Sequence, residues 1–521
     1  MQLNRLCDYL KTRPWHWWLA ILVTLVAGFL RFYRIPETVM FLGDQGRDAL
    51  LVARMFREYN PVFIGPVTSV GNMYLGPFYY YFMLPFLWLS YPSPLGPAYA
   101  VAFFSTITIF LTYLLGKKIF SPITGLLASF FLAFSAEAID ISRFSWNPNL
   151  APLFSLLMIY FSWKAFKKPR NWIVVALLFG MIIQLHYLAL LTGATVGLLW
   201  LYYLIVEFKK KTKINKKEFL QNNLKICAIS LFVFLLTLVP QILFDLKHKG
   251  LISNAFLKIF SQEQIFTDKK AGSLYETITR FGQNFSSRAN HILVRVPLGR
   301  LMANHEAILL LSVFLLLFFN LYWTRSKKQY RMFLANLIVL IFLLIGILGT
   351  AVYQHDLYNH YIAYLYPVTA FVYALALGRL LKINKRLFTP VVVLFIVWFF
   401  ISNAQRWPLK PNYLYQRTQH TAEQIYNYLA DGERYDIVLL SETNDLYGQS
   451  YRWFLSTTDR PPIVKEKQQS PETLVIIDEE KKVEDVTALD IYEIVVFPEK
   501  NIDLTLNNQD LPNIYFLRSA Q

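Results

Sequence analysis

Apolar stretches long enough to cross a bilayer recur along this chain, with short polar segments between them. In hydrocarbon every backbone N–H and C=O needs a partner inside the protein, so such a chain is driven to become a bundle of helices. About eleven spans are expected. They are Trp15–Phe32, Ala98–Leu115, Ile123–Ala138, Leu150–Trp163, a hairpin folded out of Trp172–Val206, Leu224–Phe244, Ala307–Trp323, Met332–Val352, Tyr361–Leu381 and Phe388–Ser402. Trp172–Val206 is too long for a single crossing at ~1.5 Å per residue, so it is read as two legs with Gln184, His186 and Tyr187 at the outer turn. The net charge of +17 raises nucleic acid as a partner. The Lys and Arg residues, however, sit mostly in short loops between apolar segments, as the positive-inside rule requires, and the nucleic-acid reading fails.

Arg5, Lys11 and Arg13 precede the first span and hold the N-terminus in the cytoplasm. No small-residue cleavage site follows a short apolar core, so that span is expected to stay as an anchor. The chain is thus expected to be a multi-pass protein of the plasma (inner) membrane, with the loop after the first span outside. Cys7 and Cys227 provide neither a disulfide framework nor a thiolate metal site.

Two pieces of the first outer loop stand apart. Phe41 to Met55 places Asp44 and Asp48 four residues apart on one helix face, with Leu50, Leu51, Ala53 and Met55 on an apolar one. Gly76 to Trp88 is apolar but short, rich in Tyr and bracketed by Pro77 and Pro85. If it crossed, Lys117 and Lys118 would lie outside and every later basic loop would be inverted. Both pieces are therefore read as interfacial helices. The predicted architecture is an all-α polytopic membrane domain, residues 1–404, followed by a small soluble α/β domain at 411–521 outside the membrane. In the latter, Thr421–Ala430 reads as an amphipathic helix, and Tyr435–Leu440, Thr473–Asp478 and Ile491–Phe497 read as buried strands.

The outer ends collect polar residues from distant segments: Asp44, Arg47, Asp48, Arg143, Asn147, Asn149, His186, Tyr187, the long-loop arginines including Arg288, and His355, Asp356, Asn359, His360 and Tyr361. Charges at that depth are costly unless paired or used. A carboxylate beside guanidinium groups suits deprotonation of a hydroxyl with stabilisation of a phosphate leaving group. The plainer readings remain open beside it. Asp44 and Asp48 fit a solvated helix start, Arg143 a surface anchor, His186 a cap, Asn147 and Asn149 turn residues around Pro148, and the long-loop arginines lipid-headgroup contacts. There is no Walker-type loop and no Cys/His metal spacing. Asp44, Asp48, His355 and Asp356 are cation donors by type, but no coordination geometry can be read from them, and no metal or cofactor is predicted as required.

The order of these segments resembles the GT-C glycosyltransferases, in particular the branch of protein O-mannosyltransferases and lipid A aminoarabinose transferases. The residues carrying the resemblance are Asp44-Gln45 where the family has Asp-Glu, Gly76-Pro77-Phe78-Tyr79-Tyr80 for its Pro-Pro-Leu-Tyr-Tyr-like segment, Ser142-Arg143 in the second outer loop, and His360-Tyr361 with Tyr366-Pro367 in a late span. Asn147 or Asn149 stands near a position where the family has an Asp. The resemblance implies inverting transfer of a monosaccharide from a polyprenyl-phosphate donor to a hydroxyl acceptor, without an obligatory metal. Asp44 would be the catalytic base. Arg143, Arg47 and Arg288 would hold the phosphate, and Asp48, Tyr79, Tyr80, Asn147, Asn149, His186, Tyr187, His360 and Tyr361 would line the substrates. The expected partners are then the lipid-linked donor, membrane lipid and an acceptor of unspecified class. Two other functions fit less well. A transporter or flippase would put ionisable groups in mid-span, where they are scarce here. A noncatalytic membrane protein with an external binding domain would leave Asp44 without a task.

Overall fold

The computed structural model describes residues 14–68, 73–261, 274–353, 356–443, 445–463, 470–498, 501–506 and 511–519. Arg5, Cys7, Lys11, Arg13 and His355 lie outside the described residues. Among those described, eight helices are long and apolar enough to cross a membrane: Trp15–Phe32, Gly96–Ile119, Tyr187–Lys209, Asn215–Thr237, Ala303–Ser326, Tyr330–Val352, Asn359–Ile383 and Lys385–Ala404. The other three expected spans are helical but shorter, Pro122–Phe134, Ala151–Ala165 and Asn171–Ile182, with 13, 15 and 12 residues. At ~1.5 Å per residue they reach ~18–23 Å into a hydrocarbon layer ~30 Å deep.

Basic side chains gather at one end of the bundle. Lys118 and Lys164 lie over the ring of Tyr160 at 5.6 and 5.7 Å, Arg331 lies over Trp163 at 5.0 Å, and Lys210 lies over Tyr330 at 5.1 Å. At the far end polar side chains answer the backbone groups where Pro122–Phe134 stops and Ala136–Asp140 begins. The buried Arg31 guanidinium donates to the carbonyls of Leu132 and Ala133 at 3.3 and 3.1 Å. Asn403 Oδ1 accepts from the Ala136 N–H at 2.8 Å, and Trp407 Nε1 donates to the Phe134 carbonyl at 3.1 Å. Non-helical backbone is tolerated at membrane depth only with such pairing.

Two helices stand outside the bundle at its far end, Gly43–Arg57 and Phe78–Ser90, where interfacial helices were expected. Ala49, Val52 and Ala53 of the first and Tyr79, Tyr80, Met83 and Leu87 of the second enter the main core.

The C-terminal part forms a four-stranded sheet in the order β1-β2-β4-β3, with β1 Tyr435–Leu440, β2 Thr473–Asp478, β3 Asn501–Leu506 and β4 Asn513–Arg518. β1 and β2 are parallel, whereas β4 pairs antiparallel with both β2 and β3. Both faces are covered. Ile437, Leu439, Val475 and Ile477 meet Ile425 and Leu455, while Val438, Leu474 and Ile476 meet Val486, Ile494 and Phe497.

Ile491–Phe497, expected as a strand, is instead a short helix, Tyr492–Val495. Ile494 and Phe497, three residues apart, are buried together, and Val495 and Val496 are exposed. A period of two cannot produce that pattern. The amphipathic helix expected at Thr421–Ala430 is longer and starts earlier, at Leu414–Tyr428.

Candidate active site

The first turn of Gly43–Arg57 carries the densest polar arrangement at the far end. Gln45, at the position of the family's Glu, is buried, and its Oε1 accepts from the Leu42 N–H at 3.0 Å. An amide therefore does the helix-capping work there. Asp44, Arg47, Asp48 and Leu51 fall on one helix face by spacing. Arg47 bridges the two acids, 2.8 Å from Asp44 Oδ1 and 2.7 Å from Asp48 Oδ1.

The acids differ in exposure. The Asp44 side chain is 45% exposed, whereas Asp48 is 1% exposed. Asp48 Oδ1 also accepts from the Tyr80 hydroxyl at 3.0 Å, and its Oδ2 has no partner in the protein. Burial raises the Asp48 pKa, opposed by the charge and hydrogen bonds of Arg47. Asp44 is thus the acid open to a ligand, and Asp48 anchors the arginine beside it.

Arg47 and Tyr80 form the polar end of a cavity of about 680 Å³ with apolar walls from Val62, Ile64, Leu243 and Phe244 and with Lys247 and His248 at its edge. The His248 ring stacks on Phe244 at 3.9 Å. Lys247 and His248 were missed in the sequence, although the run Lys247-His248-Lys249 just past an apolar segment was the available signal.

A second constellation joins three outer segments. His186 and Tyr361 have ring centroids 4.4 Å apart, His360 and Tyr361 4.5 Å, and Trp146 and His360 4.2 Å. Tyr79 connects towards it, its hydroxyl 2.9 Å from Ser145 Oγ, beside Trp146. Tyr187 turns the other way and donates to the Tyr74 carbonyl. Asn147 and Asn149 are buried and engaged with backbone: Asn147 Nδ2 donates to the Leu185 carbonyl at 2.7 Å and Asn149 Nδ2 to the Phe144 carbonyl at 2.9 Å. They tie loops together.

Arg143 is not beside Asp44. Its guanidinium is buried and donates to the carbonyls of Leu30, Arg31 and Tyr33 and to Thr38 Oγ1. These acceptors belong to the chain leaving the first span, where the helix ends and its carbonyls need donors. Arg288 donates to the Tyr353 carbonyl at 3.1 Å with the Asp356 charge nearby. Neither arginine joins Arg47.

Two further acids lie behind this surface, Glu137 and Asp140, three residues apart in Ala136–Asp140. Glu137 accepts from Asn359 Nδ2 at 2.8 Å. Burial, then the neighbouring Glu137 charge, pushes Asp140 from 3.8 up to about 6 against the pull of Arg143. A carboxyl whose pKa is raised by folding contributes stability that is whole below its ordinary pKa and lost as pH rises through the folded one, and each pH unit between the two is worth about 1.4 kcal/mol. Asp140 therefore contributes a fall in melting temperature between pH 3.8 and about 6, and Asp140→Asn is expected to remove that contribution. Differential scanning fluorimetry of the two proteins across that range is the check.

The C-terminal part meets the Asp44 helix through two glycines. A Cβ on Gly46 would lie 2.5 Å from the Gln449 backbone, and one on Gly43 would run into the Asp445 carboxylate. Gly46→Leu is expected to cost roughly 1–3 kcal/mol by overpacking and to speed proteolysis between the bundle and the sheet. Wild-type protease resistance in that variant would mean the contact is dispensable.

Among the described residues no group of three or more His, Cys, Asp or Glu is placed to hold a metal.

Comparison with known proteins agrees with this architecture. The family described as dolichyl-phosphate-mannose-protein mannosyltransferase matches residues 76–242. No curated protein sequence matches the chain. Among solved structures, ArnT from Cupriavidus metallidurans bound to undecaprenyl phosphate aligns over 96% of this chain and 99% of its own, with TM-score 0.58 and 13% identity. Its apo form aligns over 96% and 98%, with TM-score 0.57 and 12% identity. The Archaeoglobus fulgidus oligosaccharyltransferase aligns over 88% of this chain and 68% of its own, with TM-score 0.53 and 13% identity. The chain is a multi-pass membrane protein with the GT-C glycosyltransferase fold, similar over part of its sequence to the protein mannosyltransferases and in overall architecture to ArnT.

Proposed function

We propose that this protein transfers a monosaccharide from a polyprenyl-phosphate donor to a hydroxyl acceptor at the extracytoplasmic face of the membrane. The observation that carries the reading is the Asp44–Arg47–Asp48 group, with Arg47 and Lys247 lining a cavity whose walls are mainly apolar. A cavity walled by aliphatic and aromatic side chains and lined by the cations Arg47 and Lys247 suits an isoprenoid phosphate. The undecaprenyl phosphate held by the structurally similar ArnT supports that choice of donor.

In this reading Asp44 takes the acceptor's hydroxyl proton as the oxygen bonds to the anomeric carbon. The bond from that carbon to the phosphate oxygen breaks on the opposite face, and its electron pair leaves with the polyprenyl phosphate. Arg47 keeps the phosphate role expected of it, now with Lys247 and His248. Arg143 and Arg288, engaged with backbone, leave it. The rings of His186, His360 and Tyr361 offer a wall for the sugar, and Asp48 with Tyr80 holds Arg47 in place. The basic end of the bundle is assigned to the cytoplasm, which puts Asp44 and residues 411–521 outside.

The test is to incubate purified protein and an envelope extract with a panel of radiolabelled polyprenyl-phosphate monosaccharides. One donor is expected to lose its label to the extract. If every donor remains intact under conditions where the lipid phosphate binds, the proposal is wrong.

A further inference from the structure

At the basic end of the bundle one cation stands inside a helix, covered and without an acid. Arg379 lies four residues before the end of Tyr366–Ile383. It is 4% exposed, its Nε has no hydrogen-bond partner, and among the described residues no carboxylate pairs with it. Its guanidinium lies over two rings of the neighbouring helix Ala303–Ser326, 4.6 Å from the centroid of Phe319 and 4.3 Å from that of Trp323. Lys327 lies over the same indole at 5.2 Å. Lys382, one turn beyond Arg379, is close enough to feel its charge. Both lysines are exposed. The two stretches that supply these side chains, 321–331 and 376–387, carry Lys and Arg but no Asp or Glu.

Aromatic faces attract a guanidinium, but they leave its N–H groups without acceptors. A charge covered in this way is costly until an anion answers it. Depth narrows the choice of anion. Four residues inside the helix end is ~6 Å at ~1.5 Å per residue, within the headgroup layer of a bilayer. Cations gathered between helices at that level suit the phosphate of an anionic headgroup and repel the ammonium of a zwitterionic one. Leu311, Leu315, Phe319 and Trp323 follow at intervals of four along the neighbouring helix, all exposed, and form an apolar track from the cations towards mid-membrane.

We propose that this corner of the bundle binds an anionic glycerophospholipid of the cytoplasmic leaflet. Its phosphate sits against Arg379, with Lys327 and Lys382 beside it, and an acyl chain lies along the track from Trp323 to Leu311. The site takes its leaflet from the assignment of the basic end to the cytoplasm and asks nothing of the sugar-transfer chemistry.

The full chain in dodecyl maltoside micelles is titrated with dioleoyl phosphatidylglycerol or dioleoyl phosphatidylcholine, and bound lipid is counted by native mass spectrometry. Phosphatidylglycerol is expected to bind more tightly, and R379Q to weaken it on the order of tenfold. K327Q/K382Q changes only exposed side chains, so folding is not at stake, and it is expected to weaken the same lipid severalfold. R47Q, at the far cavity, is expected to leave it bound. Equal affinity for the two lipids, or wild-type affinity in either R379Q or K327Q/K382Q, overturns the proposal. Loss of the lipid in R47Q would also overturn it, by placing the lipid in the far cavity. So would displacement by glycerol 3-phosphate, which would make the corner a site for soluble anions.

Discussion

Asp44→Asn is expected to lower sugar transfer by about 10²–10⁴-fold, the range spanned by a positioned general base, with donor affinity nearly unchanged. The amide is isosteric and its oxygen can still accept from Arg47, which Asp48 and the Tyr80–Asp48 bond hold in any case. Nothing buried is lost, because the Asp44 side chain is 45% exposed. What disappears is the capacity to take a proton. Turnover and polyprenyl phosphate affinity measured on the same preparation separate the two effects. Wild-type turnover by the variant would remove Asp44 from the chemistry.

Arg143→Gln is expected to act on folding. Three backbone carbonyls and the Thr38 hydroxyl lose a charged donor in a buried place, and an amide cannot reach all four. The cost is on the order of 3–5 kcal/mol, read as a large drop in melting temperature. Donor affinity per folded molecule should hold. A variant that melts like wild type but needs far more donor would return Arg143 to the phosphate.

These two predictions mark how far the sequence could be read. Span positions followed from hydropathy and from the sign of each loop, because those are forces on whole segments, and Phe78–Ser90 is a helix as expected. Asp44, Arg47 and Asp48 share a helix face by spacing alone, and the structure ties them together. The aim of Arg143 did not follow, since a guanidinium beside a membrane surface can turn to phosphate or to orphan carbonyls, and only the packed end of the first span decides. Asp140 was overlooked because its apolar neighbours Ile139 and Ile141 look like the tail of a span. The contact between Gly46 and the Gln449 backbone had no local signal, as it joins positions some four hundred residues apart. Ile491–Phe497 misled for a related reason: a short apolar run fits a strand or a single helical turn equally until its neighbours choose.

The shortened helices Pro122–Phe134, Ala151–Ala165 and Asn171–Ile182 stop ~10 Å before a full-depth crossing would. At these ends the last carbonyls of Pro122–Phe134 are answered by Arg31 and Trp407, and peptide groups just beyond the helices by Asn403 and Asn147. A helix can therefore stop short of a full crossing without exposing raw backbone to oil.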